Sequence, residues 1–332
     1  MNKIETNRRE LTVFLLVAFG VPYLMGIPLA IAQRAGQDTS IFANAQMMYP
    51  AMGVMLAYLL ARRPDLPVRF YALHIAATIT CLGCSLLSVF MPSESWLMYV
   101  NLVMLGASVL GWILLLTEKK EKRAALGLRW RGKIMAALGV CLLFFGLKLA
   151  ITFLSMAMSG AEYWNAYLAY WQTFTPWYYM LILIPNFFLI FLPFFGEEYG
   201  WRYYFTPVLQ QRFGKRRGVL LLGVLWGLWH LPLNLFFYSP ETSLQSIAAQ
   251  LIACITMGIF FTFAYELCGR NIWVPVLLHY LNNNGILVWA GTAQIGNLVY
   301  TWGDILLTAV TYGIFFLPFL AARVYRKNTA MQ

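Results

Sequence analysis

Long, nearly uncharged apolar stretches follow one another along almost the whole of this chain, and that succession leaves few folds open. A bilayer-spanning helix needs about 20 mostly apolar residues. Stretches that meet this measure lie at 11–33, 43–61, 70–91, 96–117, 134–158, 178–197, 218–238, 246–266, 272–292 and 303–322. The expected fold is therefore all-α: a polytopic transmembrane bundle of about ten helices with no soluble catalytic domain. One re-entrant segment would lower the count to nine or eight. With only 11% of residues charged against roughly a quarter in soluble domains, the composition agrees.

The formal charge of +11 invites a nucleic-acid reading, but the basic residues sort by topology instead. Lys and Arg gather in cytoplasmic loops. An N-terminus placed inside, with Lys3, Arg8 and Arg9, puts Arg62, Arg63, Arg69 and the seven basic residues of 118–133 inside after successive spans. It does the same for Arg202, Arg212, Lys215, Arg216, Arg217, Arg270, Arg323, Arg326 and Lys327, so 22 of the 24 basic residues fit one orientation. Both termini are then expected in the cytoplasm. The exceptions are Arg34, at an outer helix end, and Lys148, inside a span and read as snorkelling outward. The expected location is an integral, multi-pass one, in a bacterial cytoplasmic membrane, with lipid as a partner and nucleic acid excluded. The first apolar run, with Ala30-Ile31-Ala32 near its end, is too long for a cleavable signal peptide and reads as an uncleaved span.

The chain changes character near residue 160. Residues 1–158 read as accessory N-terminal transmembrane helices and 159–332 as a catalytic transmembrane domain. The basic segment 118–133 ends in Leu126-Gly127-Leu128-Arg129-Trp130, an interfacial stretch for the inner leaflet. Residues 162–179 are rich in Tyr and Trp, which settle at headgroup level, so they are expected along the outer surface. Cys81 and Cys84 form an isolated CxxC on a helix and read as packing residues. His74 reads as packing or interhelical bonding, and Glu266 with Arg270 as a surface pair.

Ionisable groups within a span cost roughly 2.5–3.5 kcal/mol each on insertion scales, so each is a functional candidate. Two of the three histidines, His230 and His279, fall deep in spans, and Glu197 and Glu198 close the sixth. At 1.5 Å rise per residue, Glu197, His230 and His279 come to about 14, 18 and 12 Å from the same side of the membrane. Three separate helices thus carry polar groups to nearly one level. Glu198 and Arg202 pair at i,i+4, Trp226 and His230 share a face, and so do His279 and Asn283. Glu197 points about 100° away from Glu198, free to meet another helix. A carboxylate beside a neutral imidazole can hold a water and take its proton. A second His and an Asn can donate to the oxyanion formed when water attacks an amide. Those roles add up to peptide hydrolysis without a covalent intermediate.

Glu197-Glu198-x-x-x-Arg202, Trp226-x-x-x-His230 and His279-x-x-x-Asn283, in this order on successive helices, resemble the motif set of the CPBP family. That family comprises CAAX prenyl endopeptidases of the Ras-converting type and bacterial Abi or bacteriocin-processing proteins; the likeness covers roughly residues 180–290. It implies that Glu197 and His230 hold the attacking water, that His279 and Asn283 form the oxyanion site, and that Glu198 and Arg202 support the helix end. Trp226 stands where the second motif usually has Phe. The implied substrate is a peptide or protein, membrane-embedded or prenylated. No cofactor is expected; if a divalent ion such as zinc were used, Glu197, His230 and His279 would be its ligands.

Other readings stay open at this stage. His230 and Asn234 also sit at i,i+4, with Pro232 between them. Polar spans broken at Pro185, Pro193, Pro232 and Pro275, together with Lys148, fit a transporter, although no inverted repeat is visible. A catalytically silent family member acting as scaffold or immunity protein is the third reading.

Overall fold

The computed structural model describes residues 7–92, 95–292 and 294–326; Lys3 and Lys327 of the topology count lie outside them. The described residues form helices and connecting turns only. Their order is α1 (Arg8–Arg34), α2 (Ser40–Gln46), α3 (Tyr49–Leu60), α4 (Val68–Phe90), α5 (Ser95–Thr117), α6 (Lys120–Ala125), α7 (Ile134–Met158) and α8 (Ala161–Gln172). Then come α9 (Thr175–Phe213), α10 (Lys215–Trp229), α11 (Leu231–Tyr238), α12 (Ser243–Leu267), α13 (Trp273–Asn284), α14 (Ile286–Trp289) and α15 (Trp302–Ala321).

Among the described residues, seven helices are long and apolar enough to cross a membrane: α1, α4, α5, α7, α9, α12 and α15. The pair α10 and α11, bent by 41° at their junction, meets the same measure only when taken together, as a broken span or a re-entrant loop. The remaining two predicted windows, 43–61 and 272–292, fold as pairs of shorter helices, α2 with α3 and α13 with α14. The protein is an integral, multi-pass membrane protein. Its lipid-facing surface is apolar, with Leu24, Phe90, Leu116, Leu142 and Leu181 exposed on successive spans.

Lipid supplies no hydrophobic drive between helices, so close packing and satisfied polar groups hold such bundles together. Both devices are visible on α9. Pro193 has no N–H and its ring crowds the preceding turn, and the helix leaves helical geometry at Ile190. The groups loosened there are caught from α5: Leu192 N–H donates to Ser108 Oγ at 3.2 Å, and the Trp112 indole donates to Phe188 O at 3.0 Å. After Glu198 the helix widens into a π-helical stretch, Tyr199–Phe205. Phe195 stacks between Tyr199 and Trp273, with ring centroids 4.9 and 5.8 Å apart, tying α9 to α13.

Two glycines let α9 touch the segment leading into α3. A methyl group on Gly196 would sit 2.4 Å from Met47 O, and one on Gly200 would sit 2.3 Å from Pro50 Cβ. Gly196→Ala is expected to destabilise the protein by about 1–3 kcal/mol, the usual cost of overpacking. The check is its thermal unfolding midpoint in detergent; a midpoint equal to wild type would show that the two backbones are not in contact. One hydrophobic core cluster runs through both halves of the chain, from Phe14 and Tyr58 to Phe261 and Tyr280.

The basic 118–133 segment is fastened to the bundle. Leu126 and Leu128 are buried, the Leu126 carbonyl accepts from Tyr199 and the Leu128 carbonyl from Trp273. Asn271, just before α13, donates to Arg131 O at 2.8 Å. The ring-rich stretch folds as α8 and the start of α9, with Tyr167 buried and Tyr163, Phe174 and Trp177 exposed. His74 is bonded to Met48 O at 3.1 Å, and Glu266 pairs with Arg270 at 3.0 Å.

Candidate active site

Glu197, Glu198 and His230 stand where the chain departs from a plain helix. Glu197 and Glu198 precede the π-helical stretch of α9, a feature common at functional sites. His230 occupies the break between α10 and α11, two residues before Pro232. There its backbone N–H turns to Gly227 O, which leaves the Trp226 carbonyl for the His230 ring: Nδ1 lies 2.8 Å from it. The carbonyls of Leu228 and Trp229 at the same break accept from Tyr23 and Gln46 of the N-terminal helices. His279 lies on the short α13, which is fixed to α9 by a hydrogen bond from Tyr280 to Leu183 O at 2.6 Å.

Glu197 is buried, and its Oε2 accepts two indole N–H bonds, from Trp226 at 2.8 Å and Trp201 at 3.3 Å. Its Oε1 lies 3.9 Å from His279 Nε2. Glu198 Oε1 holds both Arg202 Nη1, at 3.0 Å, and His279 Nδ1, at 2.8 Å. Arg202 is completely buried, its guanidinium 4.2 Å from the Trp226 ring centroid and 5.1 Å from that of Phe261. Thus Trp226 is gripped at its edge by Glu197 and on its face by Arg202.

These bonds settle which ring atoms are available. A carbonyl only accepts, so His230 donates from Nδ1 and its Nε2 is left as an acceptor in the neutral ring. His279 donates from Nδ1 to the Glu198 carboxylate; its Nε2 is an acceptor in the neutral ring and a donor in the imidazolium form. Asn283 is exposed, and its Oδ1 accepts from Asn282, which leaves its amide hydrogens free.

Glu197, Trp226, His230, His279 and Asn283 line one cavity of about 410 Å³. The predicted convergence of three helices is therefore present. Two expectations need correction. Arg202 does not belong to a cytoplasmic loop, because it is sealed in the bundle as the partner of Glu198. Lys148 does not snorkel; it is buried and reaches the wall of this same cavity. Its Nζ bonds Tyr312 OH, where a headgroup-level amine would have met water. The rival Asn234 is spent on structure, donating to His230 O and accepting from Ser246. Trp201 went unforeseen, although an indole four residues after a buried Glu is a readable donor.

Among the described residues no three His, Cys, Asp or Glu side chains gather closely enough to hold a metal ion. As arranged, Glu197, His230 and His279 do not fit one.

The fold and site define a class: a polytopic helical membrane protein with an acid and two imidazoles sunk in a cavity of the bundle. Residues 176–285 match the family described as type II CAAX prenyl endopeptidase Rce1-like. A CAAX prenyl protease 2 of Methanococcus maripaludis is 34% identical over 105 residues, 30% of this chain. The chain spans 39% of the length of that relative.

Proposed function

We propose that the protein is an intramembrane endopeptidase, CAAX-protease-like, that hydrolyses a peptide bond with a water activated by Glu197. The supporting observation is that Glu197, His230 and His279, from three separate helices, wall one cavity, with Glu197 Oε1 facing His279 Nε2 at 3.9 Å and the bond to the Trp226 carbonyl made by Nδ1 of His230 and not by Nε2. A water held by Glu197 Oε1 and His230 Nε2 loses a proton to Glu197 while its oxygen bonds to the scissile carbonyl carbon. Negative charge then gathers on the former carbonyl oxygen, where Asn283 and the imidazolium form of His279 donate. Collapse of that intermediate breaks the C–N bond, and the proton held by Glu197 passes to the departing amine. Glu198 and Arg202 are positioning residues: Glu198 holds the His279 ring, and Arg202 holds Glu198 and the Trp226 face.

The first substrates to try are prenylated peptides ending in a C-a-a-X sequence, the kind of substrate in the relative's name. The reading includes both termini in the cytoplasm and a reaction that needs no metal. Purified protein in lipid vesicles is expected to cut such a peptide after the Cys, as read by mass spectrometry, and to keep its turnover after exhaustive chelation. Activity lost on chelation and restored by zinc would overturn the metal-free chemistry. An intact peptide together with Glu197-dependent solute uptake by the vesicles would replace the hydrolase reading with transport.

A further inference from the structure

Lys148 is the single charged residue of α7, and the hydrolytic chemistry leaves it unused. It is only 7% exposed. An ammonium has three N–H donors. The contacts seen are a hydrogen bond to Tyr312 OH at 2.7 Å and the rings of Trp289 and Tyr312, 5.6 and 4.9 Å away. Among the described residues no carboxylate lies within ion-pair distance of it. A cation buried without a counter-charge is costly unless an anion completes it. Lys148 lines the cavity that holds Glu197, so the place for that anion is the substrate cavity itself.

We propose that Lys148 is a specificity-determining residue that receives the free C-terminal α-carboxylate of the peptide. The assignment rests on the hydrolase reading for the identity of the ligand. A C-a-a-X motif ends the chain that carries it. Three extended residues span at most about 10 Å, so a bond cut after the Cys and the terminal carboxylate lie within one small-ligand-sized cavity. Tyr312 OH, tethered to the ammonium, is a second donor for the same oxygens.

The test uses three fluorescent farnesylated peptides of one sequence: a free C-terminal carboxylate, a C-terminal amide, and an amide carrying Glu as its last residue. With wild-type protein the plain amide is expected to raise KM about tenfold or more, the scale of a lost charge-assisted hydrogen bond. Lys148→Met raises KM for the carboxylate peptide by a like factor, leaves kcat nearly unchanged and removes the difference between carboxylate and amide. Lys148→Arg keeps that difference. Equal discrimination in wild type and Lys148→Met, or none in wild type, overturns the assignment; so does a Glu-ended amide that matches the carboxylate peptide. Binding by fluorescence anisotropy in the Glu197→Gln background gives the second readout. Carboxylate preference there, lost with Lys148→Met, supports Lys148 even where no peptide is cut, a result that sinks only the hydrolase reading. Absence of binding by all three peptides overturns the Lys148 assignment. Unfolding midpoints of both Lys148 variants close to wild type show that the effect is on the ligand.

Discussion

Glu197→Gln is expected to lower kcat for peptide cleavage by about 10²–10⁴-fold, the range supplied by a positioned general base. Glutamine keeps the shape of the side chain and an oxygen for the two indole donors, Trp201 and Trp226. The fold and the cavity wall should therefore survive, with KM changed little, while the proton acceptor is gone. Single-turnover cleavage in vesicles, with the unfolding midpoint measured in parallel, separates loss of chemistry from loss of structure. A variant that cuts at the wild-type rate would remove Glu197 from the reaction.

Arg202→Met should be the most damaging change to stability in the site. Arg202 and Glu198 are both fully buried and joined at 3.0 Å. Removing one partner of a buried ion pair typically costs about 3–5 kcal/mol, because the other charge stays buried without compensation. Here the damage extends further: the Trp226 face loses its cation, and Glu198 is left with His279 alone. The double variant Glu198→Gln with Arg202→Met should recover part of the loss, since the stranded charge goes too. Chemical denaturation in detergent reads both. A single variant as stable as wild type would mean that the pair contributes nothing to holding α9.

The spans were legible because apolar length is a direct physical requirement of the bilayer. The windows 43–61 and 272–292 met the apolar criterion, yet they fold as pairs of shorter helices. Pairing at i,i+4 told that Glu198 meets Arg202, and helix rise told that Glu197, His230 and His279 reach one level. What spacing alone did not carry is contact between distant segments. The grip of Trp226 on Glu197, the tie from Glu198 to His279 and the inward turn of Lys148 depend on helix rotation, which packing decides. The break at His230 was foreshadowed by Pro232, but not the capture of its loosened carbonyls by Tyr23 and Gln46. Arg202 misled the charge count because a sum over loops cannot recognise a cation that has found an acid inside.

Part of the cavity wall, Ala43, Met47 and Lys148, comes from outside the 176–285 segment. Under the proposal that Lys148 receives the carboxylate of the substrate, the groups for bond cleavage and for ligand choice come from different stretches of the chain, 176–285 and α7.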